Sequence, residues 1–265
     1  MSELNIIIYQ VDAFTNELFS GNPAAVCFLK EWLSDELMQN IAAENNLAET
    51  AFLVKKKSCY EIRWFTPLVE VDLCGHATLA AAHVLFHCLN YYYPQICFTS
   101  PRSGKLEVIR QKDRLYLNFP LDTLIRLEEH SIIEECIQTK PIEIYKGKTD
   151  YLVVLNSESE VKNFKPDLDK IAFLKSRGLI ITAKGNSVDF VSRFFAPQSG
   201  INEDPVTGSA HTSLIPLWAD KLNKEEMTAL QLSKRGGTLY CSLKDNRCLI
   251  GGYSKLFLSG KITLY

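Results

Sequence analysis

Two short stretches of the chain gather the residue types that hold anions and move protons. The first runs Asp72-Leu73-Cys74-Gly75-His76-Ala77-Thr78 and the second Asp204-Pro205-Val206-Thr207-Gly208-Ser209-Ala210-His211. In each, a glycine opens a small-residue, apolar segment that reads as a buried helix. The first turn of a helix carries N–H groups without intrahelical partners and a partial positive charge. Glycine there lets another molecule come close to the backbone. A carboxylate is therefore the natural occupant of the turns at Gly75 and Gly208. The same turns also suit plain helix caps. His76 and Ser209 hold the same place after the two glycines. Cys74 directly precedes Gly75, and a thiol at a helix start is predicted to have a lowered pKa. Pro205 stiffens the chain beside Asp204. Glu49 lies between Ala48 and Thr50 at the mouth of an apolar strand. With little polar company, its carboxyl pKa is predicted to rise toward neutrality, which suits a general acid/base. An exposed strand-end carboxylate is the plainer reading of Glu49.

These stretches belong to a repeat. Arg63-Trp64-Phe65-Thr66-Pro67 precedes the first, and Arg193-Phe194-Phe195-Ala196-Pro197 the second. The prolines at 67 and 197 lie 130 residues apart and the glycines at 75 and 208 lie 133 apart, each near half of 265. Two weaker matches keep the same order: NIIIYQVDAF near the start with TDYLVVL from Thr149, and ETAFLVKK from Glu49 with LIITAKG from Leu179. Self-similarity at a fixed offset points to two similar domains. The boundary is placed at 121/122, with Leu121-Asp122-Thr123 as linker, giving domains 1–121 and 122–265.

The elements that must position these residues are mixed. Short runs rich in β-branched and aromatic residues predict strands over 6–11, 24–29, 49–55 and 60–65, then near 95–99, 104–110 and 113–119. Ser34 is a candidate N-cap for a helix to about Glu44, with Leu33, Leu37, Met38 and Ile41 on one face. The segment 77–88 predicts a helix apolar on nearly every side. The second half predicts strands near 150–155, 178–183, 189–196, 227–232, 236–243, 246–252 and 255–263, and a helix from Gly208 to Ala219. The fold class is α+β: two pseudo-symmetric domains, each a mostly antiparallel sheet wrapped around a central helix. Two such helices related by a pseudo-twofold axis would aim both positive ends into one cleft between the domains, a usual place for small-molecule sites.

Composition removes other classes. Lys plus Arg is 29 against 31 Asp plus Glu, so the net charge is −2. That balance argues against a nucleic-acid or anionic-membrane partner. Hydrophobic residues are 46% and charged residues 23%, enough apolar material to bury a core. No run reaches the roughly 18 apolar residues of a membrane span, and the start lacks a secretory signal. The eight cysteines do not cluster, so reduced thiols and a cytoplasmic location are expected. His83 and His87 lie on one helix face, but Val84 stands where a metalloprotease helix carries Glu, so no metal is assigned. The chain shows no dinucleotide fingerprint and no P-loop.

With these residues in place, the chain resembles the PhzF-like family, relatives of the phenazine-biosynthesis isomerase with the diaminopimelate-epimerase fold. The matching pieces are VDAFT at 11–15, GNPAAV at 21–26, AETAF at 48–52, RWFTP at 63–67, DLCGHATLA at 72–80 and DPVTGSAH at 204–211. The resemblance implies that Glu49 is the acid/base, that His76 and Asp204 contact substrate and complete the catalytic set, that Ser209, Cys74 and Thr207 bind substrate, and that the amides at Gly75 and Gly208 bind a carboxylate. It adds Asn22 as a lining residue. It implies an isomerase that needs no cofactor, acts on a small carboxylate, and often forms homodimers.

The epimerase branch of this fold faces two cysteines across the substrate. Here the positions are Cys74 and Thr207. A threonine hydroxyl is a poor base, so two-thiol racemisation is not expected. One acid/base, Glu49, can still carry a proton between two carbons on one face. Two alternatives stand beside this reading. One is a binding or regulatory protein that keeps the cleft without the chemistry. The other is an amino-acid epimerase pairing Cys74 with Glu49.

Overall fold

The structure is a computed structural model that describes residues 3–128 and 131–264. The chain forms two compact units, Met1–Asn118 with Gly251–Tyr265, and Phe119–Ile250. In the first unit lie β1 (Leu4–Ala13), β2 (Asn22–Leu29), α1 (Asp35–Asn45), β3 (Glu49–Lys55), β4 (Tyr60–Phe65), β5 (Glu70–Val71), α2 (Gly75–His83), β6 (Gln95–Ser100), β7 (Gly104–Gln111) and β8 (Arg114–Pro120). There follow β9 (Ile125–Leu127), α3 (Ser131–Ile137), β10 (Glu143–Lys146), β11 (Asp150–Val154), α4 (Glu158–Asn163), α5 (Leu168–Ala172), β12 (Gly178–Lys184), β13 (Phe190–Ala196), β14 (Ile201–Asp204), α6 (His211–Leu222), β15 (Glu226–Gln231), β16 (Gly237–Lys244) and β17 (Arg247–Gly252). The final strand, β18 (Ser254–Leu264), returns to the first unit, where it pairs antiparallel with β1 from Ala13↔Ser254 to Leu4↔Leu264. That return is why the compact units differ from the 121/122 boundary drawn on the sequence.

The two units repeat one pairing scheme. In the first, β18, β1 and β2 are antiparallel, β2 and β3 parallel, β3 and β4 antiparallel, β4 and β6 parallel, and β6 to β8 antiparallel. In the second, β9, β10 and β11 are antiparallel, β11 and β12 parallel, β12 and β13 antiparallel, β13 and β15 parallel, and β15 and β16 antiparallel. The short strands β5 and β14 take matching places beside β4 and β13.

The central strands of each unit are buried on both faces, so they lose the polar alternation of a one-sided sheet. In β3 every residue but Lys55 is buried. Phe52 and Val54 pack outward on Met38, Ile41 and Ala42 of α1. Ser34 starts α1 by accepting the Leu37 N–H at 3.3 Å. The other face of the sheet packs on α2, every residue of which is buried against β1, β2, β3, β7 and β18. Three alanines in a row, Ala80 to Ala82, let strands approach that helix from all sides. In the second unit α3, α4 and α5 cover the outer face with Ile133, Ile137, Val161 and Ile171 packed on Leu179, Ile181 and Val191.

Four details depart from the sequence reading. The segment 77–88 is not one α-helix, since α2 ends at His83 and continues as a π-helical turn to Cys88, with Leu89 N–H reaching Val84 O at 3.0 Å. The second central helix opens at His211 rather than Gly208. Gly208 to Ala210 form a tight turn whose carbonyls accept from His211 and Thr212 at 3.0 and 3.2 Å. Asp122 is a fixed anchor, not a slack linker. Pro216 inside α6 leaves the Thr212 carbonyl without its helical donor, and the Asp122 N–H fills that place at 3.2 Å while the Asp122 carboxylate accepts from Ser213 Oγ and Lys148 N. Finally, Cys59 and Cys97 form a disulfide, against the expectation of reduced thiols. The parallel register of β4 and β6 pairs Tyr60 with Phe98, which sets the preceding cysteines side by side. The other six cysteines are free. Among the described residues, no helix is long and apolar enough to cross a membrane.

Candidate active site

In the first unit, three strand and helix starts bring polar groups to one buried point. Glu49 is the first residue of β3 and Asn22 the first of β2, and the parallel register Ala24↔Glu49 keeps these two strand mouths together. Gly21 makes the approach to Asn22 possible. Its φ is +69°, and a Cβ there would meet the Ala13 carbonyl oxygen at 2.2 Å. Cys74 is the N-cap of α2 and His76 its second residue.

The geometry is that of a short relay. His76 Nε2 stands 3.0 Å from Glu49 Oε2, with the side chains only 5% and 10% exposed. On the other ring edge, Asn22 Nδ2 is 3.1 Å from His76 Nδ1 and Cys74 Sγ is 3.5 Å from it. The Nε2 edge of the ring thus faces Glu49, and the Nδ1 edge faces Asn22 and Cys74. Burial works against a charged ring at His76. Cys74 and the Glu49 carboxylate, by charge and hydrogen bond, outweigh it and hold the imidazole pKa well above its ordinary value. Burial, with the Glu49 charge beside it, pushes the Cys74 thiol up to about 11. This corrects the lowered thiol pKa read from its place at a helix start, because desolvation exceeds what the helix end supplies. Nor does Glu49 lack polar company, as the sequence suggests, because His76 faces it directly. Glu49, Cys74 and His76 place one donor atom each within 4.8 Å of one another. A divalent cation there would have to displace the protons held by Cys74 and His76.

The second unit carries the other expected residues in a different arrangement. The Thr207 hydroxyl donates to Asp204 Oδ2 at 2.6 Å. Gln231, at the end of β15, accepts the Thr207 N–H at 2.8 Å and donates to the Asp204 carbonyl at 2.8 Å and to Thr207 Oγ1 at 3.1 Å. Thr207 is thus bound into its own loop by both its amide and its hydroxyl. His211 Nδ1 donates to the Thr207 carbonyl at 2.9 Å, and burial drops its pKa to about 4. Ser209 is half-buried behind Gly208, and its Oγ accepts from Arg177 Nη1 at 2.8 Å. Arg177 forks onto Asp150, through Nε at 2.9 Å and through Nη2.

The structure therefore gathers Asn22, Glu49, Cys74, Gly75 and His76 in one unit, and Asp204, Thr207, Gly208 and Ser209 in the other. Gln231, Arg177 and Asp150 are not marked by any motif. The signal that finds Arg177 is strand register, developed below.

Comparison with known proteins gives the family and the fold. A profile of the PhzC-PhzF family, described as phenazine biosynthesis-like protein, matches residues 11–260. An uncharacterized isomerase of Pseudomonas aeruginosa is 50% identical over 261 residues, 98% of this chain and 100% of that one. The crystal structure of a PhzF-family phenazine biosynthesis protein from Enterococcus faecalis superposes with a TM-score of 0.95 at 48% identity, over 98% of this chain and 100% of that one. A hydroxyproline epimerase from Agrobacterium vitis shares the fold, with a TM-score of 0.65 at 9% identity over 98% of this chain and 93% of that one.

Proposed function

The chain belongs to the phenazine biosynthesis-like family and is an isomerase of that family, and on this premise we propose that Glu49, paired with His76, carries a proton between two carbons of a small carboxylate-bearing substrate. The observation that carries the proposal is the 3.0 Å contact between Glu49 Oε2 and His76 Nε2 at a buried point beside the first turn of α2.

The step balances without an oxidant, a reductant or a cofactor. A Glu49 oxygen takes a proton from one substrate carbon, and the electron pair left behind delocalises toward the substrate's unsaturated and carboxyl groups. Glu49 then returns the proton to a second carbon on the same face. His76 holds the carboxylate in place by its Nε2–H, and Asn22 and Cys74 fix the ring from its other edge. The amides at Gly75 suit the substrate carboxylate, by the unpaired N–H groups of a helix start. We propose the same kind of contact for Gly208 and Ser209 of the second unit, with Asp204 holding a polar group of the substrate and Thr207 bracing Asp204. A positioned acid/base of this kind contributes about 10²–10⁴-fold to rate.

A second thiol-type base has no candidate here. The Cys74 thiol sits at about 11 and the Thr207 hydroxyl is committed to Asp204. The test is proton exchange in deuterated water with a panel of small unsaturated carboxylic acids, followed by NMR. The proposal expects exchange that is lost in Glu49→Gln and kept in Cys74→Ser. Exchange undiminished in Glu49→Gln contradicts it. Loss in Cys74→Ser alone would instead favour an epimerase built on the thiol.

A further inference from the structure

The two units can be laid over one another residue by residue, using strand register alone. Phe65 ends β4 and pairs with Thr50, while Phe195 on β13 pairs with Leu179. RWF at 63–65 and RFF at 193–195 are the same repeat. Thr50 and Leu179 are therefore equivalent, as are Glu49 and Gly178, and Ala48 and Arg177. Likewise Ala24 pairs with Glu49 and Asp150 with Gly178, which makes Ala24 and Asp150 equivalent. After the paired glycines, His76 and Ser209 are equivalent.

This overlay shows an exchange of charge. In the first unit the strand mouth supplies an acid, Glu49, which reaches His76. In the second, the acid's place is Gly178, where a Cβ would meet Phe194 Cζ at 2.5 Å and the Phe195 carbonyl oxygen at 2.7 Å. No side chain fits there without displacing backbone. The preceding residue, Arg177, does the reaching instead, and it touches Ser209.

We propose that Arg177 is a positioning residue that fixes the Ser209 hydroxyl as a hydrogen-bond donor toward a carboxylate oxygen of the substrate, with Asp150 holding Arg177 in place. A guanidinium has donors and no acceptor. Ser209 Oγ must therefore accept from Arg177 Nη1, which leaves the serine hydrogen to point away from Arg177. The adjacent positive charge polarises that O–H, and hydrogen bonds to charged groups are the stronger ones. Arg177 is itself set on both sides. Asp150, 2% exposed, takes Nε and Nη2, and the guanidinium lies over the Phe194 ring at 5.2 Å. Asp150 in turn accepts from Thr149 Oγ1 at 3.0 Å. A loose surface arginine would show neither constraint.

The inference rests on the carboxylate-bearing substrate of the proposed function, and its test is binding rather than turnover. The full chain is titrated with benzoate, and with neutral benzamide as control, while the Gly208 and Ser209 amide shifts are followed by NMR. Wild type should show a saturable shift with benzoate and none with benzamide. Removing Arg177 alone would strand the buried Asp150 charge, so the variant is Asp150→Asn with Arg177→Met. That variant should weaken benzoate about tenfold, and Arg177→Lys only about threefold. Ser209→Ala should weaken it as much as the double variant, and the triple variant no further, because one contact is being removed by two routes. A merely structural role would make the losses add. The inference is overturned if wild type shows no benzoate-dependent shift, if the double variant binds as wild type does, or if its loss adds to that of Ser209→Ala. A failure of the proton-shift reading is seen in exchange, and a failure of this one in benzoate affinity.

Discussion

The turn at Gly75 and the turn at Gly208 descend from one pattern and do different things. In the first, ionisable groups face one another across about 3 Å, with Glu49 on His76 and Cys74 at the ring's far edge. In the second, the polar groups are tied into their own loops, with Thr207 held by Asp204 and Gln231, and Ser209 held by Arg177. The scaffolding around them has barely changed. Arg63 forks onto Glu70 at 2.7 and 2.8 Å and lies 5.2 Å over Phe65. Arg193 forks onto Glu203 at 2.6 and 3.0 Å and lies 4.9 Å over Phe195. The lesson is a division of labour. The arginine–glutamate brace kept its residue types, and residues at the strand mouths exchanged theirs, so that one unit gathers ionisable groups and the other a set of fixed hydrogen bonds.

Even the brace between neighbouring parallel strands has diverged in kind. By the same register, Cys59 and Cys97 correspond to Asp189 and Thr228. The first pair is a disulfide, and the second is a hydrogen bond from Thr228 N–H to Asp189 Oδ2 at 2.8 Å.

The largest effect that sharpens this contrast is on turnover. Glu49→Gln should lower proton exchange by about 10²–10⁴-fold, whereas Thr207→Val, which removes the hydroxyl bound to Asp204, should act on stability and substrate affinity first. Equal losses of exchange at constant affinity would break the distinction. Next comes the covalent brace. A double Cys59→Ser, Cys97→Ser variant should lose about 2–4 kcal/mol in urea unfolding, since the bond closes a loop with a separation of 38 residues. Asp189→Asn, which weakens both the Thr228 N–H bond and the exposed ion pair with Lys224, should lose about 1–2 kcal/mol.

A third effect separates the units by pH. His211 has a folded pKa of about 4 against about 6.5 unfolded, so the unfolded chain binds the proton first as pH falls. Stability should therefore be full above about pH 6.5 and decline toward pH 4, by roughly 3 kcal/mol from His211 at the limit. Denaturant midpoints across that range measure it, and His211→Gln should flatten the slope. His76 carries the opposite sign. Its raised pKa stabilises the fold fully below about pH 6.5, and that contribution is lost as pH rises through the folded value. The smallest effect is at Cys74. With its thiol at about 11, Cys74→Ser should change exchange less than about threefold at pH 7.

Much of the fold can be read from residue order. The strands over 49–55 and 60–65 and the Ser34 cap follow from β-branched runs and a side chain suited to accept an orphan N–H. The segment 123–148 and the turns around 156–172 carry no such pattern. Their helices are five to seven residues long, with single capping side chains at Ser157 and Asp167 as the only local signals. Of the site, Glu49, His76, Asp204 and Ser209 are legible because their motifs match a family. Glu49 has nothing else to mark it. Arg177 and Gln231 are silent because their partners lie 24 to 32 residues away and meet them only once strand register is set. Burial explains the misread thiol in the same way. A helix start alone suggests a lower pKa, and only the packed structure shows how completely Cys74 is cut off from water.

Whether His76 shares its proton with Glu49 decides the mechanism. Ring-nitrogen NMR of ¹⁵N-labelled histidine across pH 5–9 reads this directly, in wild type and in Glu49→Gln. A His76 imidazole that stays protonated well above the ordinary value in wild type, and titrates lower once Glu49 is uncharged, is the result the structure predicts. A His76 that titrates at or below the ordinary value in wild type, or is indifferent to Glu49→Gln, would contradict it.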